Sequence, residues 1–136
     1  MITPPSSPKG FVTADDSDRL IVLIVEDEGP IAEALTYVVE EAGFTALVAS
    51  HGKAGLNLAL QHRPALILSD VMMPQMGGPE LIRAVRAALE TRAPPIVLMT
   101  AADLRFAKDA GADAVLTKPF ELAAIEAMLR RFLGGR

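Results

Sequence analysis

The sequence predicts an α/β fold of the doubly wound type, in which a five-stranded parallel sheet carries helices on both faces. Five short apolar runs rich in valine, isoleucine and leucine alternate along the chain with five segments that have apolar residues at helical spacing. Alternation of this kind produces a parallel sheet with right-handed crossover connections. The chain has 136 residues, of which 51% are hydrophobic and 22% are charged, so it supplies enough apolar material for one core.

The first strand and the first helix follow a change in composition near the start of the chain. Residues 1–18 are rich in proline, serine and acidic residues, and we expect a flexible tail there because few apolar groups offset the entropy of ordering it. Residues 20–25, LIVLIV, form an unbroken apolar run, which is typical of a strand covered on both faces. A helix is predicted over residues 30–42, since Pro30 suits a first turn and Gly43 suits a helix end.

The same alternation continues to the end of the chain. Further strands are predicted over residues 45–49, 65–69, 95–99 and 114–117, and further helices over residues 53–62, 79–89, 104–110 and 121–133. The predicted domain therefore covers residues 19–134. In sheets of this type the working groups gather at the carboxyl ends of the strands.

Composition and charge exclude several classes of function. The 13 Lys and Arg residues are outnumbered by 17 Asp and Glu residues, so the chain has no excess of positive charge and we expect no direct nucleic-acid partner. The absence of cysteine excludes disulfides, thiolate metal sites and cysteine nucleophiles. No apolar run is long enough to span a bilayer and the first residues do not form a secretory signal, so we expect a cytoplasmic protein without a membrane partner.

Five polar side chains follow the predicted strands at one edge of the sheet: Glu26 and Asp27, Asp70, Thr100 and Lys118. Three carboxylates brought together repel, by about 4 kcal/mol for a pair at roughly 4 Å and an effective dielectric near 20, so a proton or a cation must relieve the repulsion. Oxygen ligands suit Mg²⁺ better than Zn²⁺. Such a site favours phosphoryl chemistry, in which the metal and Lys118 neutralise the transferring group and a carboxylate is the nucleophile.

Four sequence blocks identify a family resemblance. IVLIVEDE, ILSDVMMPQMGG, VLMTA and GADAVLTKPF occur in this order, and together they resemble the receiver domain of two-component response regulators. The resemblance extends from residue 20 to about residue 133, and it implies a flavodoxin-like sheet with the strand order 2-1-3-4-5.

The resemblance also implies a phosphoacceptor and a magnesium site. Asp70 would accept a phosphoryl group from the phosphohistidine of a histidine kinase or a phosphotransfer protein. Asp70 and Asp27 would bind Mg²⁺ directly, Glu26 would bind it through water, and Met72 would contribute its backbone carbonyl. The family is a class of signalling phosphoacceptors rather than enzymes with a separate substrate, although its members catalyse their own phosphotransfer and autodephosphorylation.

Two further residues complete the implied site. The Thr100 hydroxyl would form a hydrogen bond with the aspartyl phosphate, and Lys118 would form an ion pair with that phosphate. The peptide bond between Lys118 and Pro119 would be cis. The chain would act on a protein effector in trans, and a weak or phosphorylation-dependent dimer stays open.

The sequence departs from the family pattern in two places. Val115 stands where receivers usually carry an aromatic residue, three positions before Lys118, so the usual aromatic switch is missing. The stretch from Thr100 to Lys118 is about one helical turn shorter than in most receivers, which predicts a short or irregular fourth helix. Two alternatives stay open: a degenerate receiver that acts as a phosphorylation-independent interaction module, and a small Mg²⁺-dependent phosphohydrolase. Met72 opposes the second alternative, because such enzymes carry a general-acid carboxylate two residues after the nucleophile.

Four positions have simple interpretations. His51 and His62 lie in the region of the second helix and are predicted to be surface residues without a ligand role. Thr100 taken alone would cap a helix N-terminus. The small Ala102, two residues later, offers no side chain to block water, which predicts a short-lived phosphoryl group.

Overall fold

The computed structural model describes residues 19–101 and 104–134, which contain five strands and five helices in alternation. The strands are β1 (Ile21–Val25), β2 (Thr45–Ala49), β3 (Leu66–Asp70), β4 (Ile96–Thr100) and β5 (Ala114–Thr117). The helices are α1 (Gly29–Glu41), α2 (Gly52–His62), α3 (Gly78–Leu89), α4 (Leu104–Asp109) and α5 (Leu122–Leu133), and a short 3-10 helix, Glu90–Arg92, follows α3.

The five strands are parallel and lie in the order β2-β1-β3-β4-β5, which confirms the predicted doubly wound, flavodoxin-like sheet. The register sets Ile24 beside Leu68, Leu68 beside Val97, and Val97 beside Ala114. Because the strands run in the same direction and in register, the chain leaves β1, β3, β4 and β5 at one carboxyl edge.

Helices cover both faces of the sheet. On one face, Leu35 of α1 and Ile125 of α5 pack in the same apolar cluster as Ile24 of β1. On the other face, Val85 of α3 packs in a second cluster with Leu23 of β1 and with small residues of α2 and α4. Since successive strand residues point to opposite faces, burial on both faces accounts for the continuous apolar runs seen in the sequence.

Helices α1, α2 and α3 each begin one residue before the predicted start, and α1 and α3 share a sequence feature there. Gly29 and Gly78 are the first residues of α1 and α3, and the proline that follows each is the second residue. A residue before proline usually avoids the helical conformation because its Cβ clashes with the proline ring, and glycine has no Cβ. The prediction placed each proline at the first helical position and did not consider that the preceding glycine can also be helical.

The ends of β3 and β4 also differ from the prediction by one residue. Asp70 pairs with Met99 and Thr100 pairs with Thr117 in the parallel ladder. Both residues are therefore the last of their strands, where the sequence predicted the first position beyond each strand. The ladder fixes their backbone and thus the place from which their side chains project.

The fourth helix is short, as predicted, and has six residues. It ends at Asp109, and Gly111 follows with a φ of 90°, a conformation that glycine adopts readily. Arg86 of α3 holds the next turn, because its guanidinium donates to the Gly111 carbonyl at 2.7 Å and to Asp113 at 3.0 Å. Asp113 also accepts a hydrogen bond from the Ile96 backbone amide at 2.8 Å.

Some predictions about the chain concern residues that are not described. The predicted flexible tail, residues 1–18, and the prediction that rests on Ala102 lie outside the described residues. The domain limits of residues 19–134 stay a prediction. None of the helices in the described ranges has the length and apolar character that are needed to cross a membrane.

Candidate functional site

The carboxyl edge of the sheet brings together the side chains that the sequence predicted to converge. Glu26 and Asp27 directly follow β1, and Lys118 directly follows β5. Asp70 and Thr100 end β3 and β4. A cavity of about 310 Å³ at this edge is lined by Asp27, Asp70, Thr100 and Lys118, together with Glu28, Val71, Met72 and Ala101.

Lys118 lies between two carboxylates. Its Nζ is 2.9 Å from Oε1 of Glu26 and 3.4 Å from Oδ2 of Asp70. Burial alone would lower the pKa of Lys118, but attraction to Glu26 and Asp70 outweighs burial and raises the pKa above its ordinary value. The lysine is therefore a fixed positive charge at neutral pH. The peptide bond between Lys118 and Pro119 is cis, as predicted.

Glu26 is the buried carboxylate of the site. Burial raises its pKa above the ordinary value, contact with Lys118 opposes that effect, and the charge of Asp70 adds to it. Oε2 accepts a hydrogen bond from the backbone amide of Glu28 at 3.2 Å. Oε1 has the charge contact with Lys118 but no hydrogen-bond partner among the described residues. Glu26 thus faces the lysine more directly than it faces the cavity.

Asp70 combines two properties that the other carboxylates do not share. It lines the cavity, and it lies beside Lys118. Its Oδ1 accepts a hydrogen bond from the backbone amide of Val71 at 2.9 Å, which orients the carboxylate. Ser69, one residue earlier, donates from its hydroxyl to the Asp70 carbonyl at 2.9 Å and so supports the end of the strand.

The three carboxylates could hold a hard cation. Glu26, Asp27 and Asp70 each offer an oxygen, and these oxygens lie within 4.8 Å of one another. Glu26 is buried, Asp70 is half-buried and Asp27 is exposed, so the cluster opens towards solvent. Carboxylate oxygens on an open edge fit Mg²⁺, which keeps several of its waters. Met72 lines the same cavity, which is compatible with the predicted use of its backbone carbonyl.

Other positions refine the sequence interpretation. Thr100 is buried, and it ends β4 four residues before α4, so it is not the residue directly before that helix. Val115 lies in β5 and is packed against the apolar cluster beneath α3 and α4. Glu28, the last acid of the EDE run, lines the cavity and was not singled out as a site residue. The three consecutive acids of that run were the sequence feature that could have identified Glu28.

The two histidines have different roles. His62 is exposed at the end of α2, as predicted for a surface residue. His51 is partly buried and caps α2, because its Nδ1 accepts a hydrogen bond from the Ala54 backbone amide at 3.2 Å. His51 is therefore partly exposed and has a structural contact that the sequence did not predict, and this capping contact also accounts for the start of α2 at Gly52, one residue before the predicted start.

Comparisons with known proteins agree with this geometry. A family model described as the response regulator receiver domain matches residues 22–130. The chain is 36% identical over 124 residues to the DNA-binding response regulator MtrA of Mycobacterium tuberculosis, and the aligned region covers 85% of this chain and 53% of MtrA. It is 32% identical over 125 residues to histidine kinase P4 of Formosa agariphila, and the aligned region covers 89% of this chain and 9% of the kinase. The chain thus spans about half of the first relative and a small part of the second.

One solved structure with the same fold holds a metal ion in its own cleft. The receiver domain of a sensor histidine kinase from Pseudomonas aeruginosa, with a magnesium ion coordinated in its active site cleft, is 28% identical to this chain. The two superpose with a TM-score of 0.79, over 85% of this chain and 98% of that one.

Proposed function

The chain belongs to the response regulator receiver domain family, which consists of signalling phosphoacceptors, and we propose that Asp70 is the residue that accepts the phosphoryl group. One observation carries the choice among the three carboxylates. Asp70 both lines the cavity and lies beside Lys118, whereas Asp27 has only the first property and Glu26 only the second. The nucleophile must be reachable from solvent and must have a cation near the oxygens that gain charge.

The transfer needs one bond to break and one to form. The P–N bond of a phosphohistidine breaks as a P–O bond forms to a carboxylate oxygen of Asp70, and the released imidazole takes a proton from solvent. Lys118, whose Nζ is 3.4 Å from Asp70 Oδ2, offsets negative charge on the phosphoryl oxygens. Thr100 ends the neighbouring strand, and its hydroxyl donates a hydrogen bond to the phosphoryl group.

Mg²⁺ is the cofactor of this proposal. Asp27 and Asp70 would bind it directly, Glu26 through water, and Met72 through its backbone carbonyl. The spacing of the carboxylate oxygens, within 4.8 Å of one another, supports this set, and the contact between Glu26 and Lys118 supports an indirect role for Glu26. When bound, the ion supplies positive charge that offsets repulsion between the carboxylates and the incoming phosphoryl group.

The partners follow from the chemistry. The donor is a histidine kinase or a histidine phosphotransfer protein, and the readout is a protein effector in trans. The chain catalyses its own phosphotransfer and autodephosphorylation and has no separate substrate. Because a histidine kinase takes its phosphoryl group from ATP, we place the chain in the cytoplasm. We also propose a weak or phosphorylation-dependent dimer. The proposal includes no direct contact with nucleic acid or with a membrane.

The two alternatives are not favoured. Val115 and the short α4 alter the surface beside the site. The cavity is nevertheless lined by the groups that a phosphoacceptor needs: Asp27, Asp70, Thr100 and Lys118. A degenerate receiver does not require that set. A phosphohydrolase would need a proton donor at Met72, and a thioether has no acidic proton.

A titration with beryllofluoride tests the proposal, because this compound occupies the place of an aspartyl phosphate. We expect Mg²⁺-dependent binding to the unchanged chain, seen as shifts of backbone amide resonances around the cavity. Asp70→Asn should abolish binding. Asp109→Asn, which makes the same chemical change on the exposed end of α4, should leave binding intact. Absence of binding to the unchanged chain would favour the degenerate receiver.

A further inference from the structure

A second concave surface lies beside the site cavity. It is a groove of about 430 Å³ between α3, α4 and the loop after β3, and its apolar lining consists of Val71, Met72, Pro79, Phe106 and Ala110. Phe106 is 50% exposed and Met72 is 76% exposed. Large apolar side chains that remain in contact with water along one groove are typical of protein-binding surfaces.

The groove is continuous with the cavity that holds Asp70. Val71 and Met72 line both of them. Phosphoryl transfer requires the phosphorus of a donor to approach the Asp70 carboxylate to roughly 3 Å. A donor protein that reaches this distance must cover the rim of the cavity, and Met72 lies on that rim. The groove therefore begins where the surface of a donor must lie.

Charge favours a donor with basic side chains around an apolar contact. Glu80 and Asp109 line the groove together with one cation, Arg83. The adjoining cavity is lined by three carboxylates and one lysine, and a bound Mg²⁺ would balance their net charge, so the excess of negative charge that meets the donor is that of the groove itself. A surface on which carboxylates outnumber cations attracts a basic partner and repels an acidic one.

We propose that the groove is part of the docking surface for the phosphodonor protein. In this arrangement the donor sets an apolar side chain against Phe106, and its basic side chains meet Glu80 and Asp109. The inference rests on the proposed function, because it takes Asp70 to receive its phosphoryl group from a phosphohistidine. The donor is the occupant because contact with the adjoining cavity is a chemical requirement for it, whereas a second copy of the chain or an effector has no such requirement.

A comparison of two donors separates docking from chemistry. The protein donor is the ATP-autophosphorylated histidine kinase that labels the unchanged chain fastest among the kinases of the same organism, and the small donor is acetyl phosphate. Phe106→Ala should lower kcat/KM for the kinase about tenfold, as truncation of an aromatic side chain at the centre of an interface does. Phe106→Ala should leave the rate with acetyl phosphate unchanged, because Phe106 does not line the cavity of Asp70.

Matched variants guard against an effect on folding. Phe106→Leu keeps a large apolar side chain and should retain most of the transfer from the kinase. Asp109→Asn should lower kcat/KM for the kinase about threefold and weaken its dependence on salt, and the loss of a negative charge at a helix C-terminus does not destabilise α4. Leu60→Ala removes an exposed apolar side chain near the end of α2, away from the carboxyl edge, and should change neither rate.

Several outcomes would overturn the inference. Unchanged transfer from the kinase to both Phe106→Ala and Asp109→Asn would show that the groove does not contact the donor. An equal loss with acetyl phosphate would show an effect on the site itself, and loss of self-association without loss of transfer would show that a second copy occupies the groove. Transfer from none of the kinases would also contradict it. Failure of acetyl phosphate to label the unchanged chain would contradict the proposed function instead.

Discussion

Lys118 is shared by two carboxylates, and this sharing leaves an excess of negative charge at the sheet edge. Its Nζ is 2.9 Å from Glu26 and 3.4 Å from Asp70. Asp27 is exposed and forms no ion pair with any described residue. Three carboxylates against one ammonium repel one another when no cation is bound, so the site is organised for a ligand at the expense of its own stability.

Asp70→Asn should therefore stabilise the protein in magnesium-free buffer. The change replaces a charged carboxylate near Glu26 and Asp27 by a neutral amide, while Lys118 keeps its contact with Glu26. We expect the free energy of unfolding to rise by about 1 kcal/mol, less than an unscreened pair would give because Asp27 faces solvent. Urea denaturation checks this. Glu126→Gln, an exposed change on α5, should leave the free energy of unfolding unaltered, and a lower value for Asp70→Asn would contradict the charge account.

The residue types of the site were predictable, but the contacts among them were not. The sequence placed Glu26 and Lys118 at the same edge because each follows a strand. Their contact at 2.9 Å depends on the length of the glutamate side chain and on how far β1 and β5 extend at that edge, and hydrophobic periodicity specifies neither. The cap formed by His51 was missed for a similar reason, since histidine is not among the usual N-cap residues.

At the scale of elements, the start of α2 touches the loop that follows β3. Gly52 is buried, and a Cβ built on it would meet the carbonyl oxygen of Met76. Met76 has a φ of 159° and Gln75 has a φ of 66°, so the loop follows an unusual path at this point. The close approach connects α2 to the loop that carries Met72.

Gly52→Ala should destabilise the protein by about 2 kcal/mol or more, because the atom that obstructs the new methyl group is backbone and moves only with the loop. Lys53→Ala is the matched control. Lys53 is the next residue of α2 and its side chain is exposed, so the free energy of unfolding should stay within about 0.5 kcal/mol of the value for the unchanged chain. Equal effects of the two changes, measured by urea denaturation, would contradict the close contact.

Arg86 connects α3 to the turn between α4 and β5. It donates to Gly111 at 2.7 Å and pairs with Asp113 at 3.0 Å. Arg86→Ala should lower the free energy of unfolding by about 1 kcal/mol, since both groups are partly exposed, and should speed amide hydrogen exchange in that turn. Arg83→Ala, one helical turn earlier and without an ion pair to any described residue, should do neither. Similar exchange in the two variants would argue against the connection.

The elements were predictable to within one residue at most ends because their signals are local. Periodicity and proline placed α3, and the shortened sequence between Thr100 and Lys118 predicted a short α4, which has six residues. The remaining differences between the predicted and observed ends of the elements come from contacts with other parts of the chain, such as the pairing of neighbouring strands. Asp70 belongs to β3 because Met99 pairs with it across the ladder, and the apolar pattern of a single strand carries no information about its neighbour.

At the scale of the whole molecule, the sheet has an apolar cluster on each face and its polar groups at one edge. The clusters hold β1, β3 and β4 between two helical layers, so the positions of Asp70 and Thr100 at the strand ends are determined by the core. Fold class followed from the alternation of patterns over the whole chain. The groove beside α4 could not be predicted in this way, because it arises from the packing of α3, α4 and the loop after β3 against one another.

The central claim is that Asp70 accepts a phosphoryl group in a reaction that requires Mg²⁺. The most direct measurement is tandem mass spectrometry of the chain after incubation with acetyl phosphate and Mg²⁺, with borohydride reduction to mark the acyl phosphate. We predict modification at Asp70 that is lost when Mg²⁺ is chelated and absent from Asp70→Asn. A stable phosphoryl group on another residue, or the same extent of labelling in Asp70→Asn, would contradict the account.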